Sequence, residues 1–312
     1  MNNYKIEGVI TALSQVTQTG DQKTGASTML PVKDVWDRTD TVQVPYVSGN
    51  SVRGRLRRLI MNDLVDLVGY TFQNEHVWHA FFGGGQLQAV GPSGIVDVGM
   101  RKDITRLIPP VALWGFSLGN QVLESKLVVY DMDVLCEEMR PYIPERYKNL
   151  CTCSFNQCVS NVMFTRRDDK QNGRVKDSDD AAIQMKVEVQ VLVTGTRFYH
   201  GFILRRDPSP VEVACLHRAI VLWRDIPNIG GKSSSGFGRL DLGYDGTIDD
   251  KPYLDFITAN KDAIVAYLQG LETSFAKQLE KKPTRKKAKG KDKDGDEKDE
   301  QPDNQISLES FQ

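Results

Sequence analysis

Val44-Pro-Tyr-Val-Ser-Gly-Asn-Ser-Val-Arg-Gly-Arg-Leu-Arg-Arg58 decides how the chain is read. The turn Ser48-Gly49-Asn50-Ser51 opens a helix that the spacing carries from Asn50 to Gly69. Val52, Leu56, Leu59 and Ile60 recur on one face, and Asn50 or Ser51 is placed to cap the start. The free N–H groups at a helix start favour an anionic oxygen. Arg53 and Arg57 are one helical turn apart and share a flank beside the apolar face, with Asn50 near it. Turn amides, the Ser51 hydroxyl and two guanidinium groups then make a cradle for a sugar-phosphate backbone. An amphipathic helix with solvated arginines produces the same pattern.

A second segment of this kind is Ile229-Gly-Gly-Lys-Ser-Ser-Ser-Gly-Phe-Gly-Arg-Leu240. Gly231-Lys232-Ser233 has the look of a phosphate-binding loop, but the Walker pattern needs glycine where this chain has Ile226. The segment also runs from helix to strand, the reverse of that motif, so an NTPase is not expected. What remains is a flexible loop carrying Lys232, Arg239 and the Phe237 ring. Its glycines allow close backbone approach, and its amides and the Ser233 and Ser234 hydroxyls suit phosphate; a plain tight loop is the alternative. A third segment, Phe164 to Asp180, is polar and includes Arg166, Arg167 and Asn172-Gly173. It lies between strand-like stretches and reads as a projecting hairpin or a disordered excursion.

The remaining pattern sets the fold class. Tyr4 to Leu13 alternates like a strand, and Thr17 to Thr41 reads as a long loop. Leu123 to Cys136, Ile183 to Val193, Phe198 to Leu204 and Phe237 to Leu242 read as strands. Pro210 to Trp223 and Leu254 to Leu279 read as helices, the former started by Ser209-Pro210. The order β, α, several β, α, β predicts an α+β fold, a split βαβ, ferredoxin-like antiparallel sheet with large insertions. Residues 1–276 form the globular part. From Lys277 the chain is nearly devoid of apolar residues, basic first and acidic later, so 277–312 is expected to be a disordered charged tail. A basic arm touching RNA or DNA phosphates is the functional alternative. Ile306 to Phe311 regains a little hydrophobicity, a weak sign of a docking peptide.

Composition bounds the function classes. At 312 residues the chain holds one large domain or two small ones, with a core that needs no disulfide staple. No apolar run is long enough for a transmembrane helix, and the first residues lack the basic and apolar regions of a secretory signal. Five cysteines, an odd number, suit reduced thiols and a cytoplasmic location. A net charge of −1 excludes a uniformly basic nucleic-acid binder but not a local basic groove. His76-x-x-His79 and Cys151-x-Cys153-x₄-Cys158 are the metal-ligand clusters, and neither has the paired CxxC spacing of a structural zinc site, so no metal or cofactor is expected. Asp34, Asp37 and Asp40 lie ahead of the arginine helix, where carboxylates support metal-assisted RNA cleavage in some folds. No catalytic triad can be assembled.

The motifs combine into a resemblance. YVSGNSVRGRLRRLI resembles the I-P-G-S-S-L-R-G-x-L-R stretch of the RAMP superfamily, and IGGKSSSGFGRL resembles the glycine-rich loop closing those domains. VEVQVLVTGTRFYHGF resembles the E-V-x-P-x-G-T-x-F strand pair of CRISPR effector backbone subunits. The matches occur in the family's order over most of residues 1–245, and the short body and charged tail look most like the type IV backbone subunit. Here Val47-Ser48-Gly49 stands where the family usually has Pro-Gly.

The resemblance implies an RRM-related palm with a fingers insertion at 14–43 and a thumb hairpin at 164–186. It implies a subunit that stacks head-to-tail along the guide crRNA in a helical filament, presents it for pairing with a target nucleic acid, and joins other effector subunits away from any membrane. By position, Asn50, Ser51, Arg53 and Arg57 would face the RNA, as would Lys232, Ser233, Ser234, Phe237 and Arg239. Arg166 and Arg167 would be the thumb's contacts. The stacking aromatics of RNA-binding RRM sheets are not evident, which fits holding the backbone rather than reading bases. No catalysis is expected. The alternatives are a RAMP ribonuclease cleaving guide or target RNA, either a guide-processing enzyme using a histidine or an RNA-cleaving backbone subunit, with His76 and His200 as candidates, and a ferredoxin-like scaffold unrelated to CRISPR.

Overall fold

Alternation of apolar and polar residues makes the first strand, β1 (Tyr4–Ala12), in which Ile6, Ile10 and Ala12 are buried on one side. The chain continues through β2 (Val32–Trp36), β3 (Thr41–Val47), α1 (Gly49–Val68), α2 (Glu75–Gly83), α3 (Val98–Leu107) and α4 (Pro109–Trp114). Then follow β4 (Leu127–Val129), β5 (Met132–Val134), β6 (Val159–Arg167), β7 (Gln184–Leu192), β8 (Arg197–Leu204), α5 (Pro210–Asp225), β9 (Leu240–Tyr244) and α6 (Lys251–Glu280). The computed structural model describes residues 2–18, 23–24, 27–85, 97–118, 121–167 and 184–280.

The main sheet runs β9-β1-β8-β5-β3-β2, with β4 also paired to β8. β1 is antiparallel to both neighbours, with Ile10 opposite Phe198 on β8 and Leu242 on β9. Taking β4 and β5 as one interrupted strand, the order is that of the expected split βαβ sheet, with α1 and α5 as the two crossovers. The fold class is therefore α+β and ferredoxin-like. α1, α5 and α6 pack together over the sheet, and Leu56, Ile60, Phe198, Phe202, Leu216, Ile220, Trp223 and Leu268 share one core. The other face of the sheet is covered around Tyr199 by the 3₁₀ turn Glu145–Leu150. Tyr147 lies 5.5 Å from the Tyr199 ring, and Arg146 bonds Glu7 at 3.1 Å.

Local chemistry fixes the helix ends. Ser48, rather than Asn50 or Ser51, caps α1, its hydroxyl accepting from the Ser51 N–H. Gly69 closes α1 in the left-handed conformation at φ 68°. α5 begins with Pro210 and a complete capping box between Ser209 and Glu212. α6 continues through Glu280, so residues 277–280 extend the helix into the stretch expected to be tail. Residues 281–312 lie outside those described.

Three stretches differ from expectation. The long loop 17–41 includes β2, which pairs with β3 from Val32↔Pro45 to Trp36↔Thr41. Its turn is held by the Asp37 carboxylate, which accepts from the Thr39 and Asp40 N–H groups. The stretch Leu123–Cys136 is not one strand. It breaks at Asp131, whose carboxylate turns to accept the Gly49 N–H at 2.8 Å. The final strand starts at Leu240, because Phe237 and Gly238 belong to the preceding turn. Residues 70–85 and 97–118 contain the helical layer α2–α4, which carried no sequence expectation. It is tied to α6 through buried Glu272, which accepts from Tyr70 Oη (2.6 Å) and the N–H groups of Gln73 (2.9 Å) and Asn74 (2.8 Å). Among the described residues no helix is long and apolar enough to cross a membrane.

His200, on β8, is fully buried, with Nδ1 2.8 Å from the Tyr244 hydroxyl. Burial pushes its pKa down to about 3, so it is neutral at pH 7. The unfolded chain takes up a proton near pH 6.5 that the folded chain refuses. Stability is therefore intact above pH 6.5 and is lost progressively between pH 6.5 and 3. Urea unfolding of the wild type and of His200→Gln at pH 7 and pH 5 tests this. The wild type is expected to lose about 2 kcal/mol more than the variant over that interval, from about 1.4 kcal/mol per pKa unit.

Candidate nucleic-acid interface

The two glycine-flanked motifs meet in space. A cleft of about 910 Å³ is lined on one side by Asn50, Ser51, Arg53, Arg55, Arg57 and Arg58 of α1. The loop Asn228–Gly231 with Ser233 forms a second wall, and Phe82–Gly85 with Trp114–Ser117 of the helical layer forms a third.

Residues leaving β1 hold the first two walls together. Thr17 O accepts from the Gly231 N–H at 2.8 Å, and Gln15 O accepts from the Gly238 N–H at 2.7 Å. The next residue, Gln18, donates to Ser51 Oγ at 2.6 Å and Ser48 Oγ at 3.1 Å and accepts from the Ser48 N–H at 3.3 Å. These approaches need glycine. A Cβ on Gly230 would stand 2.1 Å from Thr17 O, and one on Gly49 2.6 Å from Tyr130 O. The Ser51 hydroxyl is thus already bonded to Gln18 and Ser48.

The electrostatics of the cleft come from arginines that have no carboxylate partner among the described residues. None of the described residues lining it is acidic. Arg53 donates to Trp114 O at 2.6 Å, Arg57 donates to Trp114 O and to Gly115 O (2.9 Å), and Arg55 donates to Ile226 O at 3.3 Å. Trp114 and Gly115 end α4, where outward-facing carbonyls suit a guanidinium. Arg57 is only 7% exposed, which corrects the expectation that it flanks the apolar face. Burial, and then the Arg53 charge, pushes the Arg57 guanidinium down to about 10, so it stays charged at neutral pH. Burial lowers Arg53 as well. Arg58 is exposed. Carbonyls orient this charge but do not neutralise it, so the cleft attracts anions. Glu124, which lines the adjoining hollow, is held by Arg206 and Arg205.

The other expected residues distribute as follows. Asn50 is exposed at the helix start, and Ser233 lines the cleft, with Ser234 beside it in the exposed turn Ser233–Ser235. Lys232 sits at φ 57° with its ammonium 4.6 Å from the Phe164 ring of β6, tying the loop to the β6–β7 ribbon. Arg239 is exposed, and its backbone bridges Asn228 and Ser14. Phe237 is corrected. Its ring is buried with Val189 and Val191 and lies 5.5 Å from Phe164, so it has no free face for a base. The β6–β7 ladder extends to Arg167↔Gln184. The hairpin tip and the side chains of Arg166 and Arg167 lie outside the described residues.

The other candidates are not gathered into a centre. His76 packs against Phe275 with ring centroids 6.1 Å apart, and His200 is fully buried. Asp37 serves its turn, and Asp34 accepts from Gln43 Nε2 at 3.3 Å. Cys153 and Cys158 have their sulfurs 3.8 Å apart, and burial pushes the Cys158 thiol up to about 11. Among the described residues no group of three or more His, Cys, Asp or Glu is placed to hold a metal. Sequence reasoning missed Gln15, Thr17 and Gln18, which sit in a polar stretch with no periodic signal. It also missed the Gly83-Gly84-Gly85 wall, whose triple glycine was a legible mark of close approach. A Cβ on Gly84 would lie 2.5 Å from Arg57 Nη1, and one on Gly85 1.7 Å from Ser117 O.

A solved structure shares this arrangement of elements. The chain has the fold of a chain of a "Type IV-B CRISPR Complex". The two superpose with a TM-score of 0.59 at 17% identity, over 78% of this chain and 91% of that one. No protein-family profile matches the sequence, and no curated protein does.

Gly230 and Gly236 both have φ near +85°, but only Gly230 is pressed against another backbone. Gly236→Ala is expected to cost about 1–2 kcal/mol for the left-handed conformation alone. Gly230→Ala should cost more and should expose the Gly231 amide to hydrogen exchange. Equal thermal shifts for the two variants would show that the loop is not pinned through Thr17.

Proposed function

We propose that this chain is the guide-RNA-binding backbone subunit of a CRISPR ribonucleoprotein effector complex of type IV. Copies stack head-to-tail along the crRNA and present it for base pairing with a target. The observation that carries this reading is the cleft that four arginines of α1 share with the glycine-rich loop, with no carboxylate among the described residues that line it. Phosphodiesters match guanidinium forks and free amides, and contacts of this kind position a strand without reading its sequence. The fold shared with a chain of a type IV-B CRISPR complex supports the same reading. Near-zero net charge suits stacking, because strongly basic copies would repel one another. The subunit acts by binding and not by catalysis. His200 is neutral and walled in, and Asp37 is committed to a hairpin turn.

Purification from cells co-expressing a CRISPR array tests the proposal. A uniform guide-derived RNA in a large particle is expected. Arg53→Glu with Arg58→Glu should lose the RNA while keeping a folded monomer. With a single-stranded RNA, the wild-type slope of log affinity against log salt should fall by about 1.4 when those two phosphate contacts are removed, at about 0.7 per phosphate. A wild-type monomer free of nucleic acid would overturn the reading.

A further inference from the structure

On α2, beside the arginine cleft, Trp78 and Phe82 stand one helical turn apart with rings stacked at 5.2 Å and 18°. Phe82 is part of the cleft wall, two residues before Gly84, which lies against Arg57. Phe82 is also held from behind by Phe72, edge-on at 6.3 Å. Trp78 remains 46% exposed, which leaves part of its ring open beside Phe82. Trp78 adjoins the cleft through Phe82, which lines it, whereas the other exposed tryptophan, Trp36, is on β2, and Trp114 and Trp223 are buried. An aromatic face fixed next to a cationic groove is the combination that binds single-stranded nucleic acid: phosphates in the groove, bases on the ring.

We infer that Trp78, backed by Phe82, is a stacking platform for one unpaired base of a single-stranded RNA whose phosphates occupy the arginine cleft. The inference rests on the RNA-binding reading above and adds to it a base contact from the helical layer, outside the sheet and outside the two motifs. Continuity with the cleft argues for RNA as the occupant. The same wall carries Phe82 and Gly84, and among the described residues no carboxylate lines the cleft to repel a phosphate approaching the ring. Stacking is tolerant of base identity because every base has a π-face, so the platform adds affinity without specifying sequence. The rigid Trp78–Phe82 pair is already in place, so binding need not order it.

The test uses the full chain, a single-stranded RNA oligonucleotide, and inorganic polyphosphate as a base-free polyanion. Trp78→Ala is expected to weaken RNA binding roughly five- to a hundredfold. It should leave polyphosphate binding and the salt slope unchanged, because no phosphate contact is lost. Trp78→Phe should restore most of the RNA affinity. In a Trp36→Phe background, RNA but not polyphosphate should quench the exposed tryptophan fluorescence. RNA affinity unchanged in Trp78→Ala, with wild-type RNA binding intact, overturns the platform and leaves the backbone reading standing. So does an equal loss toward RNA and polyphosphate. Wild-type protein that binds polyphosphate but not RNA overturns both.

Discussion

The hydrogen bonds made by Gln15, Thr17 and Gln18 hold the molecule's chemistry in one place. They leave the end of β1 and reach two segments about 180 residues apart in the chain, the start of α1 and the glycine-rich loop before β9. A ferredoxin-like sheet brings its first and last strands side by side, so a short segment leaving β1 can touch both. Gly230 follows from this, against Thr17, while Gly49 meets Tyr130 and Gly238 meets Ile229 within the loop itself. Each is where one backbone passes too close to another for a side chain. The loop is therefore held open as a wall of the cleft rather than collapsed onto the helix.

The arginines show how charge is kept available at partly buried positions. A carboxylate partner would orient a guanidinium but would cancel its charge toward a ligand. The carbonyls at the end of α4 orient Arg53 and Arg57 and leave the positive charge uncompensated. Burying Arg57 in this way is costly, which is why its proton is held less tightly than usual, yet the group remains cationic across the physiological range. The helical layer is thus part of the electrostatics and not only a covering for α1.

The sheet and both crossover helices were legible because their residues obey period two or period 3.6. The two motifs on α1 and before β9 were legible because glycine, serine and arginine cluster there. Three things were not. The turn of the β2–β3 hairpin is made by Asp37, and a polar stretch hides its strand. The burial of Arg57 and Phe237 is decided by neighbours distant in sequence, Trp114 for one and Val189 and Val191 for the other. The helical layer meets the cleft only through tertiary packing, so no local pattern marks Phe82 or Gly84 as its wall.

Glu272 joins this layer to the long terminal helix, accepting three hydrogen bonds from the segment that leads into α2. α6 spans Lys251–Glu280, and Glu272 lies in its last third, beyond the sheet-forming part of the chain. The position of the cleft's third wall is therefore set from the far end of the chain. α6 is thus a brace for a wall it does not itself line, since none of its described residues borders the cleft.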